Sequence, residues 1–142
     1  MKQGMLEPYV NFNGNALEAL TFYGEIFEVE PEVMLFSDLP LEEQEAMGFA
    51  EGVMHGQIDL GNAHLMGSDT MGNIINEGNR YYLSWASENV ADVVEVWERF
   101  VEHGAKIIMP LEQTFWAEKY GILEDRFGIQ WMIQRYAPYS QE

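Results

Sequence analysis

The chain has 142 residues, which suffice for one domain or two very small ones. It carries 24 acidic and 7 basic residues, a net charge of −17, which excludes nucleic acid and anionic membranes as expected partners. Without cysteine it can form no disulfide, thiolate nucleophile or cysteine-ligated zinc site, as fits a reducing cytoplasm. We expect no secretory leader, and no apolar run approaches the roughly 18 residues that span a bilayer.

The first half predicts a strand, a helix and three further strands. Residues 7–12 form the first strand, and Asn13-Gly14-Asn15 then supplies a turn and a helix N-cap. Apolar residues recur at helical spacing over residues 16–27. Gly61 occupies the first central position of a tight two-residue turn between two strands, which predicts that Asp59 faces His64, Gln57 faces Met66 and His55 faces Ser68. The later strands cover residues 32–36, 53–60 and 63–68, and the loop 37–52 contains one or two helical turns at residues 41–47.

The second half repeats the first after a shift of 74 residues, from Ala16 to Val90. Residues 81–86 predict a strand, Ser87-Glu88-Asn89 a cap, and residues 90–101 a helix that ends at His103-Gly104. A strand over residues 105–110 follows. The sequence therefore predicts one domain, residues 1–142, built from modules 6–68 and 80–136 that are joined by a linker over residues 69–79.

The chain closes with a predicted hairpin. Its first strand covers residues 115–123, its turn residues 124–128, and its second strand residues 129–134. Gly128 suits a position with positive φ. Alternation along the strands divides the side chains between two faces. Those expected against the helices are Leu83, Trp85, Ile129, Trp131 and Ile133; those expected on the other face are Tyr82, Ser84, Gln130, Met132 and Gln134.

Several segments, taken together, resemble the vicinal oxygen chelate superfamily, which includes glyoxalase I, extradiol dioxygenases and bleomycin-resistance proteins. The sequence motifs are most similar to those of its PhnB-like branch, also labelled 3-demethylubiquinone methyltransferase-like. The segments are Pro8-Tyr9-Val10-Asn11-Phe12-Asn13-Gly14-Asn15 with Ala19 and Phe22-Tyr23, Met54-His55-Gly56, Leu65-Met66-Gly67-Ser68-Asp69, Gly104-Ala105-Lys106, Phe115-Trp116, Tyr120-Gly121, Asp125, Phe127-Gly128 and Trp131. The resemblance implies an α+β fold in which two βαβββ modules form an eight-stranded, half-open barrel-like sheet with a concave cleft.

The same resemblance implies a divalent metal site with one ligand from each of four strands. The four aligned positions hold Pro8, Met66, Tyr82 and Met132, and none of these residues is a good ligand for such an ion. The sequence therefore predicts that the family metal site is lost and that no cofactor is bound. The methyltransferase label finds no support, because its cofactor normally needs a doubly wound parallel sheet.

The sequence also allows a substitute metal site built from other residues. His55, Asp59 and His64 are predicted on one face of a hairpin, and Glu118 could approach from the second module. The alternative is a hydrogen-bonded Asp59–His64 pair beside an unrelated His55.

The resulting prediction is a small-molecule-binding protein that forms a homodimer and favours neutral or cationic ligands. The competing prediction is a metal-dependent lyase, isomerase or dioxygenase that uses the substitute cluster. The predicted cleft residues are His55, Gln57, His64, Met66, Tyr82, Ser84, Trp116, Tyr120, Gln130 and Met132.

Overall fold

The computed structural model describes residues 3, 7–48, 51–70, 75, 78, 81–114 and 117–135. It divides into two compact units, Met1–Asn76 and Glu77–Glu142. Each unit contains a four-stranded mixed sheet and one long helix, in the predicted βαβββ order. The α+β fold class is confirmed. Within the described residues, no helix is long and apolar enough to cross a membrane.

The first unit places its strands in the order β1-β4-β3-β2, with β1 parallel to β4 and the other neighbours antiparallel. A short 3-10 helix, Phe36–Asp38, precedes its second helix. The elements are β1 (Tyr9–Phe12), α1 (Ala16–Phe27), β2 (Glu32–Leu35), α2 (Leu41–Met47), β3 (Val53–Asp59) and β4 (His64–Asp69).

The second unit has the same topology. Its sheet order is β5-β8-β7-β6, again with the first strand parallel to the last and the other pairs antiparallel. The elements are β5 (Leu83–Ser87), α3 (Val90–Glu102), β6 (Lys106–Glu112), β7 (Tyr120–Glu124) and β8 (Gln130–Arg135).

The predicted closing hairpin was wrong in its first strand, because β7 begins only at Tyr120. Two hydrogen bonds join Thr114 and Ala117 before it: the Thr114 N–H donates to the Ala117 carbonyl at 2.9 Å, and the Ala117 N–H donates to Thr114 Oγ1 at 3.1 Å. Phe115 and Trp116 lie outside the described residues.

The two long helices begin differently. Asn89 caps α3 as predicted, since its Oδ1 accepts from the N–H groups of Ala91 and Asp92 at 2.9 and 3.3 Å. Asn15, within the predicted Asn13-Gly14-Asn15 segment, is the N-cap residue of α1, but its side chain makes no cap bond to the helix. Asp69, from the end of β4, accepts the Ala16 N–H at 3.0 Å instead. A carboxylate from a distant strand thus replaces the local amide.

Glycine lets each helix lie close to its sheet. A Cβ added at Gly56 would collide with Leu20 of α1, and one added at Gly121 would lie 2.7 Å from the Trp97 ring of α3. These contacts define the helix-facing side of each sheet. The Trp131 ring centroid lies 5.2 Å from that of Phe100 on α3, so Trp131 faces the helix as predicted. The opposite side of each sheet is called its distal face below.

Candidate functional site

The β3–β4 hairpin determines which side chains share the distal face of the first sheet. Its register pairs Gln57 with Met66 and Asp59 with His64, as predicted. The Leu60 N–H donates to the Ala63 carbonyl at 2.9 Å, and Gly61 has φ of 89°, which confirms the two-residue turn. Because side chains alternate along a strand, these polar residues point away from Gly56 and α1.

His55, a predicted cleft residue, contacts Tyr9. Their rings stack with centroids 5.7 Å apart and planes inclined by 29°, and Tyr9 Oη lies 3.3 Å from His55 Nδ1. Since β4 lies between β1 and β3, the two rings meet over β4. Met34 is the β2 neighbour of His55. Tyr9 and Met34 are 48% and 50% exposed, so both present surface to solvent.

Tyr9 and Met34 are absent from the sequence-predicted site. Tyr9 belongs to the motif that carries the family resemblance, but the prediction gave no register between the first strand and its neighbour. The parallel pairing of Tyr9 with Met66 supplies that information. A search for polar and aromatic residues on the strand parallel to β4 would have found Tyr9.

His64 lies between two carboxylates. Its Nδ1 is 3.0 Å from Glu7 Oε2, and its Nε2 is 3.7 Å from Asp59 Oδ1. Gln57 is also held by an acid, because its Nε2 donates to Glu32 Oε2 at 3.2 Å. Acidic side chains therefore position the polar residues His64 and Gln57 on this face.

The distal face of the second sheet is built mainly from uncharged groups. Ser84 pairs with Met132 in the β5–β8 register, and Gln134 Nε2 donates to Ser84 Oγ at 3.3 Å. Tyr120 pairs with Gln134 in the β7–β8 register.

The remaining predicted residues of the second unit occupy different settings. Gln130 begins β8, and its Oε1 is buried without a hydrogen-bond partner among the described residues. Tyr82 is half-buried and directly precedes β5. Trp116 lies outside the described residues.

The donor set at the implied metal positions does not fit a divalent ion. The Pro8 carbonyl accepts the Met66 N–H at 3.0 Å and so belongs to the sheet. Met66 and Met132 offer only thioether sulfur, which suits softer metals. Tyr82 offers a phenol oxygen, which is a poor ligand for a divalent ion while it is protonated.

The substitute cluster is not assembled either. Among the described residues, which include all four of its members, no group of three or more His, Asp or Glu could hold a metal ion. Asp59 lies beside His64, while His55 contacts Tyr9. Glu118 lies 3.8 Å from Arg135 in an ion pair. Asp59 and His64 lie side by side as the alternative predicted, but 3.7 Å is too long for the expected hydrogen bond, and His64 is hydrogen-bonded to Glu7 instead.

Comparisons with known proteins agree with this fold. The family model for the glyoxalase/bleomycin resistance protein/dioxygenase superfamily matches residues 7–133. Protein YjdN of Escherichia coli is 27% identical over 137 residues, covering 90% of this chain and 92% of YjdN. The crystal structure of PA1353 from Pseudomonas aeruginosa has a TM-score of 0.80 at 28% identity, covering 94% of this chain and 98% of that one.

A PhnB protein from Bacillus cereus, whose structure covers 94% of this chain and 100% of its own, has a TM-score of 0.74 at 20% identity. That identity supports a shared fold. The resemblance inferred from the sequence motifs is confirmed by the family match over most of the chain. This chain belongs to the glyoxalase/bleomycin resistance protein/dioxygenase superfamily.

Proposed function

We propose that the chain is a small-molecule-binding protein that holds its ligand without the family metal ion. The observation that carries the proposal is the donor set at the implied metal positions, which are Pro8, Met66, Tyr82 and Met132. The distal face of the first sheet keeps aromatic, amide and imidazole side chains, and that of the second sheet keeps amide, hydroxyl and aromatic side chains. A lining of this kind, apolar with a few polar groups, is typical of ligand pockets.

Binding then depends on stacking and hydrogen bonds rather than on a Lewis acid. In the first unit, Gln57 and His64 are held in place by neighbouring acids and serve as polar anchors. In the second unit, the Gln134–Ser84 bond orients a hydroxyl beside Met132. The proposed ligand-contacting residues are His55, Gln57, His64, Met66, Tyr82, Ser84, Trp116, Tyr120, Gln130 and Met132, in a single domain that acts in the cytoplasm.

Metal content tests the proposal directly. Protein purified without added metal is expected to contain well below one equivalent of manganese, iron, nickel or zinc per chain by elemental analysis. A stoichiometric metal that disappears in the His55→Ala, His64→Ala double variant would overturn the proposal and favour a metal-dependent enzyme. A ligand-dependent melting screen completes the test, because a ligand at a hundred times its Kd stabilises the folded state by about 2.7 kcal/mol.

We also propose that two copies associate through β6. This strand is an edge strand of the second sheet, and its residues Ile107, Ile108 and Met109 are 46%, 49% and 41% exposed. A run of exposed apolar residues is typical of an interface. Pro110 and two register irregularities opposite β7 oppose the addition of another backbone strand, so the contact is expected to involve side chains.

Sedimentation equilibrium tests this association. Ile108→Glu is expected to shift the protein from dimer toward monomer by at least tenfold in Kd, because each interface would bury two new charges. Leu17→Glu is the matched control, since Leu17 is equally exposed, at 49%, on α1. Equal effects of the two variants, or a monomeric parent protein, would contradict the proposal.

A further inference from the structure

Charge is divided unequally between the two units. The first unit, Met1–Asn76, contains thirteen of the 24 acidic residues but one of the seven basic residues, Lys2. From residue 3 to residue 79 the sequence has no lysine or arginine. His55 and His64 are the only side chains in that stretch that can become cationic. The potential around the first unit is therefore strongly negative, and it attracts cations.

The distal face of the first sheet offers an aromatic contact surface within this negative potential. Tyr9 is stacked on His55 and hydrogen-bonded to it, so its ring is held in place while 48% of the residue stays exposed. Met34, next to His55 on β2, adds exposed apolar surface. We name Tyr9, His55 and Met34 the platform. A tyrosine held in this way binds a ligand at a small cost in conformational entropy.

Two carboxylates stand at one end of the platform, Glu7 just before β1 and Glu32 at the start of β2. Glu7 precedes Tyr9 by two residues and Glu32 precedes Met34 by two, a separation of roughly 7 Å along an extended chain. Glu7 contacts His64, and Glu32 accepts a hydrogen bond from Gln57. These contacts show that both carboxylates point to the same face as the platform.

Building on the proposed binding function, we propose that the platform selects organic cations that carry a quaternary or aromatic ammonium group. The exposed face of the Tyr9 ring attracts such a group through its quadrupole. Glu7 and Glu32 add Coulomb attraction, which the partial burial of Glu7 strengthens. A neutral ligand of the same shape gains the stacking contact alone, and an anion is repelled by the surrounding carboxylates.

A pair of probes that differ in charge but hardly in shape tests this selectivity. The probes are 3-hydroxyphenyltrimethylammonium and its neutral isostere 3-tert-butylphenol, titrated at one pH and monitored by the imidazole NMR signals. The chain has three histidines, and His103, at the end of α3 in the second unit, serves as the internal reference. We expect the cation to shift the His55 signals with about tenfold higher affinity than the neutral probe. The His103 signals should stay in place.

Variants separate the ring from the charge. Tyr9→Phe keeps the ring and is expected to retain binding of the cationic probe, whereas Tyr9→Leu should weaken it about fivefold. Tyr81→Leu is the control, because Tyr81 is an even more exposed tyrosine, at 80%, in the second unit. Glu32→Gln should reduce the preference for the cation and its sensitivity to salt while leaving the neutral probe unaffected.

The outcomes distinguish this proposal from the binding function on which it rests. Equal affinities of the two probes at His55 would overturn the cation selectivity but leave the binding function intact. Probe binding that changes tryptophan fluorescence without shifting His55 would overturn the platform, because all four tryptophans belong to the second unit. A failed melting screen together with no shift for either probe would contradict both proposals.

Discussion

Asp69→Ala is expected to lower the free energy of unfolding of the first unit by about 3–5 kcal/mol. Asp69 is 7% exposed, and its two carboxylate oxygens accept three backbone N–H groups. Oδ1 accepts from Gly14 at 2.7 Å and Ala16 at 3.0 Å, and Oδ2 accepts from Val53 at 2.8 Å. Alanine leaves all three donors without this acceptor, and the cost of an unsatisfied buried donor exceeds the net gain of an ordinary hydrogen bond.

Urea unfolding followed by far-UV circular dichroism measures the effect. Asp59→Ala is the matched control, because Asp59 accepts one backbone N–H, from Gly61, and its side chain is 64% exposed. That control should cost less than about 1 kcal/mol. Equal free energies of unfolding for the two variants would contradict the prediction that the three hydrogen bonds to Asp69 stabilise the fold.

Asp125→Ala is expected to destabilise the second unit by about 3 kcal/mol. Asp125 is 4% exposed in the turn between β7 and β8. Its Oδ1 accepts from the N–H groups of Phe127 and Ile129 at 2.9 and 3.0 Å, and its Oδ2 accepts the Trp131 indole N–H at 2.9 Å. One carboxylate therefore holds both the turn and the main aromatic side chain of β8.

Tryptophan fluorescence during urea unfolding reports on the second unit and tests this prediction. A double-mutant cycle of Asp125→Ala with Trp131→Phe should give a coupling energy of about 1–2 kcal/mol, because each variant removes one end of the indole bond. Glu112→Ala, at an exposed position of β6, should stay within about 0.5 kcal/mol of the parent protein. A coupling energy near zero would show that Trp131 is held by packing alone.

These two carboxylates also support the proposed binding residues. Asp69 joins the end of β4, which carries His64 and Met66, to the start of α1 and of β3. Asp125 fixes the turn that leads into Gln130 and Met132. A variant at either position is therefore expected to weaken ligand binding indirectly, in proportion to the loss of folded protein.

The part of the fold that the sequence predicted best depends on contacts between residues close in the chain. The bounds of α1, the Asn89 cap of α3 and the Gly61 turn all follow from residues within a few positions of one another. The β3–β4 register followed in turn from that turn, because a two-residue connection leaves one pairing. The first strand of the last hairpin was predicted to begin too early, because the aromatic-rich composition of residues 115–123 does not show where pairing with β8 begins, which is at Tyr120.

For the candidate site, the alternation of side chains within one hairpin was the only guide that the sequence offered. This alternation correctly predicted that Gln57 and Met66 lie opposite each other. The prediction missed Tyr9, which contacts His55 across an intervening strand and is 46 residues away in the chain. Glu7 was likewise missed as the partner of His64, 57 residues away. No periodicity within one strand carries information on which parallel strand will lie beside it.

The amino-acid sequence by itself determined the doubled module, the strongly acidic first half and the absence of suitable ligands at the implied metal positions, because these are properties of residue identity and order. The tertiary structure alone decided which acids became structural: Asp69 rather than Asn15 meets the start of α1. The physical reason is that a buried backbone donor takes whichever acceptor the fold brings within about 3 Å, wherever that acceptor lies in the chain.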